Sequence, residues 1–409
     1  MEGGSPKKRG RKRIFRRAAG GEMEAVAGVI CEYDPFHRGH RRQFELIRAR
    51  LPGARIVCVM SGPFTQRGMP ALHAPAVRAQ AALEGGADLV LELPCAFSVR
   101  DAEHFALGGV SVLSRLGFVT HLSFGVEDGM EALLPAVDML ESPTRDFARA
   151  LKAALARGAS VAAAQGEALS LCLGAPDGAC AAWDKPNNIL AMCYLRALKR
   201  LQSPLIPLPV RREGDYHAAS LAGQAWPSAT AVRAALLGGD LAAAREACGY
   251  DLPDAPLCLP DALDRVLIYK LRTQSAQALS RLPDCSEGLE NRLKACAARA
   301  ATREELLCLL KTRRYARARL SRLCCHALLD VTGDLLSAHP LPTYARLLGL
   351  RRGALTAALG QSGIPVPARA AEMDPKDPMT ALDMRAYDLW ALGAGLEQGL
   401  MLTQKVCAV

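Results

Sequence analysis

One run constrains this chain more than any other: Gly28-Val29-Ile30-Cys31-Glu32-Tyr33-Asp34-Pro35-Phe36-His37-Arg38-Gly39-His40. Residues 25–32 are apolar and free of polar alternation, the pattern of a central parallel strand covered on both faces. Pro35 ends that strand because proline offers no N–H to a ladder. A helix is predicted over 40–50, with Phe44 and Ile47 on one face and Arg41, Arg42 and Arg48 largely on the other. His-x-Gly-His at a strand-to-helix turn suits a phosphate. Glycine lets it approach the backbone, the first helical amides donate, and both imidazoles can face it. Imidazole donors there can stabilise the charge that develops when a carboxylate attacks an α-phosphate and pyrophosphate leaves. The alternative is a pair of ordinary surface histidines.

The chain that follows alternates. Strand patterns at 55–60, 88–93 and 121–124 are separated by helical patterns at 74–84 and 101–116. This predicts an α/β fold, a Rossmann-like doubly wound parallel sheet with right-handed crossovers. Ligands then bind beyond the carboxyl ends of the strands, where loops 33–40, 61–68, 94–98 and 125–128 gather. Residues 130–171 read as two or three alanine-rich helices, and Trp183-Asp184-Lys185-Pro186-Asn187-Asn188-Ile189 leads into another over 190–201. A proline-bearing apolar run at 205–210 suits an edge strand. It ends in Arg211-Arg212, and Ser228-Ala229-Thr230 caps a helix through 237, together a plausible anion site. Beyond Gly238 the patterns at 241–249, 260–273, 286–299, 302–311 and 313–329 are helical with hardly a strand between them. The expected organisation is a basic extension at 1–22, a nucleotide-binding catalytic domain at 23–238 and a mainly helical domain at 239–409.

Charge is concentrated. Residues 1–17 hold eight lysines and arginines against Glu2 alone, giving +7 of the formal +10. Such a tail binds phosphate backbones by counterion release or is a solvated extension, and Met23 would serve equally as a start. It lacks the apolar core of a signal peptide, and no later stretch runs about 18 residues without a charge. A cytoplasmic protein with no membrane partner is expected. The fourteen cysteines show no C-x-x-C spacing and read as reduced, mostly buried small hydrophobes rather than zinc ligands.

Tyr33-Asp34-Pro35-Phe36-His37-Arg38-Gly39-His40 resembles the Y-N-P-F-H-N-G-H signature of the bacterial tRNA-methionine cytidine acetate ligases, a branch of the H-I-G-H-type nucleotidyltransferases. Met60-Ser61-Gly62-Pro63-Phe64-Thr65-Gln66-Arg67-Gly68 is similar to the family's M-S-G-x-F-x-Q-R-G. Asp88-Leu89-Val90-Leu91-Glu92-Leu93-Pro94 and Lys185-Pro186-Asn187-Asn188-Ile189-Leu190 match two further motifs. Fainter likenesses are Phe124-Gly125-Val126-Glu127, Asp215-Tyr216-His217, Ser228-Ala229-Thr230-Ala231-Val232-Arg233 and Arg314-Tyr315-Ala316-Arg317-Ala318-Arg319-Leu320.

The resemblance implies an ATP-dependent ligase that activates acetate as acetyl-adenylate and acetylates N4 of the wobble cytidine in elongator tRNA(Met). By that likeness Ile30, Cys31, Glu32, Tyr33, Asp34, Pro35, Phe36, His37, Arg38, Gly39, His40 and Gln43 surround ATP, bound with Mg2+. His37 and His40 are the catalytic pair on the phosphates, and Gly125, Asn187 and Arg211 contact the nucleotide, with Arg212 as second choice to Arg211. A planar arginine fork can neutralise phosphate bidentately. No protein metal ligand is assigned. Asp34 and Arg38 replace the family's asparagines; Asp34 adds charge near the phosphates, caps the helix or helps hold magnesium. Phe36 is expected to pack under the turn, and His73, His104, His121, His326 and His339 to be structural. Arg313, Arg314, Arg317, Arg319 and Arg322 on one helix, with Lys311 and Arg303 nearby, are candidates for RNA phosphate contacts or a solvated face paired with acidic neighbours. Two other functions fit parts of the pattern: adenylylation of a small phosphorylated metabolite, and RNA binding without catalysis. Oligomeric state is left open.

Overall fold

The computed structural model describes residues 24–174, 181–211, 221, 226–251, 254–353 and 355–409. The basic extension, Arg212 and Asp215-Tyr216-His217 lie outside the described residues. Five strands follow the predicted alternation: β1 (Val26–Cys31), β2 (Arg55–Ser61), β3 (Leu89–Leu93), β4 (His121–Val126) and β5 (Ile206–Arg211). Between them run α1 (Arg38–Arg50), α2 (Pro75–Glu84), α3 (Cys95–Ser98) and α4 (Ala102–Leu116). Then come α5 (Met130–Glu141), α6 (Arg145–Ala156), α7 (Val161–Leu173) and α8 (Pro186–Arg200), with α9 (Ala229–Leu237) and α10 (Leu241–Cys248) after β5. All five strands are parallel, in the order β5-β4-β1-β2-β3.

The period of two along each strand splits the core. Ile56, Cys58 and Met60 pack with Phe44, Ile47, Ala79 and Leu83 beneath α1 and α2, while Val57 and Val59 join Val110, Val112 and Leu113 of α4 on the other face. Both faces of the sheet are therefore dry, which is why these strands read as unbroken apolar runs.

The region beyond Gly238 departs from expectation. Arg346–Leu350 forms β6, antiparallel to β3, and Cys407–Ala408 forms β7, parallel to β6. Five residues flanked by arginines give too short a run for periodicity to separate strand from helix. Leu347 and Leu348 enter opposite cores, and Arg346 meets Glu92 of β3 at 2.8 Å in a buried pair. One core continues from the sheet into the helices Asp264–Thr273, Arg317–Leu329 and Pro378–Gly393 through Leu267, Leu320 and Trp390.

Other boundaries move for local reasons. The helix expected from 190 begins at Pro186, whose missing N–H costs nothing at a first helical position. The strand expected to stop before Gly125 runs through Val126. Loop 94–98 is the buried helix α3, with Cys95 N donating to Asp383 Oδ1 at 2.7 Å, so it does not reach the ligand edge. The described cysteines are free thiols, and no helix among the described residues is long and apolar enough to cross a membrane.

Candidate active site

Strand order reverses between β1 and β4, the position where open α/β sheets bind ligands. The two strands pair only from Ala27↔His121 to Val29↔Ser123 and then part. Beyond that point lies a cleft of about 1500 Å³, floored by the ends of β1, β2, β4 and β5 through Ile30, Thr65, Gly125 and Arg211. Gln43 Nε2 reaches across it to Ser123 Oγ at 3.4 Å.

The turn after β1 holds the two histidines in a reciprocal cap. His37 is the N-cap of α1; its Nδ1 accepts from Gly39 N at 3.1 Å, while His40 Nδ1 accepts from His37 N at 3.3 Å. The rings stack with centroids 3.7 Å apart. Both Nδ1 atoms are thus acceptors, so the neutral rings carry their proton on Nε2. This revises the expected use of the amides: the helix start does not offer Gly39 N to a ligand, but polarises an imidazole that can donate from its other nitrogen. The reason for glycine changes too. A Cβ at Gly39 would stand 2.9 Å from His37 Cε1, so the missing side chain makes room for the ring. Tyr33, at φ +50°, lies beneath with its ring centroid 4.7 Å from that of His40.

Asp34 neither caps the helix nor joins a metal cluster. Its Oδ1 accepts from Leu72 N at 2.8 Å and its Oδ2 lies 3.6 Å from Arg233 Nη1, which also donates to the Asp34 carbonyl at 2.6 Å. Among the described residues no group of three or more His, Cys, Asp or Glu could hold a metal ion. Glu32 is fixed to the next loop, accepting from Gln66 N at 2.6 Å, and burial pushes its carboxyl pKa up. The buried Arg78 clamps the same corner by donating to the carbonyls of Glu32, Gly62 and His73.

The opposite wall joins two sequence motifs into one unit. Glu127 Oε1 accepts from both Asn187 N and Asn187 Nδ2 at 2.9 Å, while Asn188 Oδ1 accepts from Glu127 N at 2.8 Å. Lys185 meets Asp128 at 2.9 Å. Burial alone would raise the Asp128 carboxyl, but bonds from Lys185 and Asn188, with the charge of Arg211, hold it below its usual value.

Of the residues expected to surround the nucleotide, Ile30, Cys31, Glu32, Tyr33, Asp34, His37, Gly39, His40, Gln43, Gly125, Asn187 and Arg211 line the cleft. Pro35, Phe36 and Arg38 do not. Pro35 and Phe36 are buried in the turn, Phe36 among Tyr33, His40 and Phe44, and the Arg38 stem packs against Gly249. Sequence reasoning passed over Arg233 and over Arg42, whose guanidinium stacks on Trp226 at 5.6 Å. The motif ending in Arg233 was the available signal.

The arginine segment also differs from expectation. Arg313 and Arg314 precede the helix, which begins at Arg317. Arg314, Arg319 and Arg322 line the same cleft as the histidines, whereas Arg317 pairs with Glu304. Arg303 is no surface cation: it is buried and donates to Gly68 O at 2.6 Å, Ser321 O at 2.9 Å and Ser321 Oγ at 2.8 Å. Ser321 Oγ in turn donates to Arg67 O at 2.6 Å. Gly68, at φ +73°, lets the loop lie on the helix, since a Cβ there would meet Arg322 Cα at 2.8 Å.

A sheet with its switch-point cleft walled by a doubly capped His-x-Gly-His turn defines a nucleotidyltransferase, and the family model described as HIGH Nucleotidyl Transferase matches residues 23–400. The tRNA(Met) cytidine acetate ligase of Syntrophomonas wolfei is 33% identical, covering 90% of this chain and 94% of that protein. Its counterpart in Bacillus velezensis is 36% identical over 81% of this chain and 82% of its own length. A crystal structure of Thermotoga maritima TmcAL bound with alpha-thio ATP superimposes with a TM-score of 0.83 at 25% identity, covering 94% of this chain and 99% of that one. The chain belongs to the tRNA(Met) cytidine acetate ligase family.

Proposed function

We propose that this chain is an ATP-dependent acetate ligase. It forms acetyl-adenylate and then acetylates N4 of the wobble cytidine of elongator tRNA(Met). The observation that carries this reading is that one cleft gathers both sets of side chains: His37 and His40, and Arg314, Arg319 and Arg322, all line it. A small-metabolite adenylyltransferase has no need of an arginine wall, and an RNA-binding relative without catalysis has no need of two capped imidazoles.

In this reading ATP lies across the ends of β1 and β4. His37 and His40 donate to its phosphates, and Arg211 neutralises charge as the acetate oxygen attacks the α-phosphorus and pyrophosphate leaves. The main-chain amides behind each Nδ1 strengthen those donors in step with the charge. Magnesium belongs to the nucleotide, carried on its phosphates as such ions commonly are. Nucleotide chemistry falls to residues 23–238 and RNA contact to 239–409, where the wobble base leaves its stack to enter the cleft.

The test is incubation of the protein with ATP, labelled acetate and unacetylated tRNA, followed by digestion. Labelled N4-acetylcytidine is expected. Unlabelled tRNA in the presence of an active control enzyme would overturn the reading. Adenylate on a metabolite, or tRNA binding without ATP turnover, would replace it by the corresponding alternative.

A further inference from the structure

Seven carboxylate side chains line the cleft, and five of them are held by hydrogen bonds or ion pairs that occupy their oxygens. Asp34 is tied to Leu72 N and Arg233. Asp101 caps α4 and pairs with His104 at 2.8 Å, which holds its carboxyl far below the usual range despite burial. Glu103 takes Arg196 and Arg200, Glu127 holds Asn187, and Glu287 meets Arg314 at 3.1 Å. Asp284 and Glu32 remain, the first in the field of Arg100 and Arg322 and the second in that of Arg78 and Arg233, and it is position that separates them, since of the two Glu32 alone adjoins the histidine turn. Glu32 has no ion-pair partner among the described residues, and its one side-chain hydrogen bond there is that from Gln66 N to Oε1.

Its position links the histidine turn to the arginine helix. On one side Glu32 leads directly into the His37/His40 turn. On the other it is bound to loop 61–69, whose far end Arg303 and Ser321 fasten to the helix Arg317–Leu329. An acyl group activated at the histidines and a base delivered along the arginines would meet at this residue.

Resting on the acetate-ligase reading, we propose that Glu32 is the general base of acetyl transfer. The exocyclic amine of the cytosine forms its N–C bond to the acetyl carbon, its proton passes to the Glu32 carboxylate, and the C–O bond to the adenylate phosphate breaks, the electron pair leaving with AMP. That amine is a weak nucleophile because its lone pair is delocalised into the ring, so loss of the proton must accompany attack. Burial and the nearby Asp34 raise the proton affinity of Glu32, opposed by the Gln66 amide, Arg78 and Arg233; His73 stands beside Asp34 and Arg78. The net upward shift moves the carboxylate toward the range in which a base works best near neutrality.

Glu32→Gln retains Oε1 as acceptor for the Gln66 amide while removing the base. Two rates are measured on the full chain: acetate-dependent ATP–pyrophosphate exchange, and single-turnover transfer from preformed acetyl-adenylate to unacetylated tRNA. Transfer in E32Q is expected to fall on the order of 10²-fold, at least tenfold more than exchange falls. The wild-type rise of transfer rate with pH should be lost. Glu32→Asp keeps a carboxylate and should transfer at least about tenfold faster than E32Q. Parallel loss of both steps, a transfer rate near wild type in E32Q, or equal rates in E32D and E32Q would overturn the assignment. Wild-type protein inert toward acetate and ATP overturns the acetate-ligase reading and the role of Glu32 with it; active wild type with a fast E32Q overturns the role alone.

Discussion

A methyl group at position 39 would sit 2.9 Å from His37 Cε1 and 3.0 Å from Nδ1. Carbon atoms in good contact stand about 3.5–4.0 Å apart, so in Gly39→Ala the His37 ring must retreat by roughly 0.5–1 Å. That retreat strains the 3.1 Å bond from Gly39 N to Nδ1 and moves the Nε2 donor from the position the proposed function requires of it. Misplacing a catalytic group by about 1 Å can cost ~10²-fold, and deleting a preorganised donor to developing charge costs about 10²–10³-fold. Acetate-dependent ATP–pyrophosphate exchange should therefore fall on the order of 10²-fold, the lower end of that range because the ring is displaced rather than removed. Stability should change little. Position 39 lies in the first turn of α1, where alanine is favoured over glycine by up to about 1 kcal/mol, and the strained His37 cap loses about as much, so the two nearly cancel. Exchange rate and thermal unfolding are read on one preparation. Exchange within about threefold of wild type, under ~1 kcal/mol, would refute the claim that Gly39 exists to seat the His37 ring. A loss of activity accompanied by destabilisation well beyond the roughly 2 kcal/mol that a lost cap can cost would refute it equally, because the defect would then be one of folding.

Three further outcomes are expected. Asp34→Asn keeps the acceptor for Leu72 N and loses only the 3.6 Å pairing with Arg233, so urea unfolding should shift by less than about 1 kcal/mol, and ATP should bind at least as tightly; a larger destabilisation would contradict the geometry. Arg303→Ala leaves the Gly68 carbonyl unpaired in the interior and should cost about 1–3 kcal/mol in urea unfolding, whereas no measurable cost would return Arg303 to the surface. His326 is buried and its pKa is lowered to about 4 from 6.5. Between those values the unfolded chain binds the proton and the folded one does not, so this contribution is complete above pH 6.5 and on the order of 3 kcal/mol is lost as pH falls toward 4. His326→Leu should flatten that window in denaturant titrations at pH 7 and pH 4.5, and a wild type equally stable at both would contradict it.

What could be read from the sequence was whatever repeats locally. Residues 25–31 announce a covered strand because every position must be apolar when both faces are dry, and Ser228 announces a helix because a hydroxyl before an apolar periodic run has a cap to fill. The cleft followed from alternation alone, since parallel strands place their carboxyl ends on one edge. What stayed hidden depends on pairings with no local pattern. Arg233 bonds a carbonyl 199 residues away, and Arg303 bonds one 235 residues away. An arginine that ties two segments of backbone carries the same letter as one that meets RNA, and the basic run around 311–322 made the second reading natural for Arg303, while Arg233 stood out only as the end of a motif. The orientation of the histidines was hidden for a related reason. Spacing puts two rings on one turn, but only the geometry of Nδ1 against the amides shows that the helix start is already occupied.

Those long-range ties connect two motifs of the cleft. Loop 61–69 is bound at one end to Glu32 through Gln66 N and at the other to the arginine helix through Gly68, Arg67, Arg303 and Ser321. Both attachments use backbone atoms of the loop, so side-chain variation within it leaves the connection intact. Were the arginine helix to shift on binding a polyanion, these bonds are the direct connection from it to Glu32. Arg303→Ala should then slow acetyl transfer more than adenylate formation, because it cuts that path without touching the histidine turn. A preparation of this variant that remains folded and slows both steps alike would show that the loop serves the fold and not the link between the histidine turn and the arginine helix.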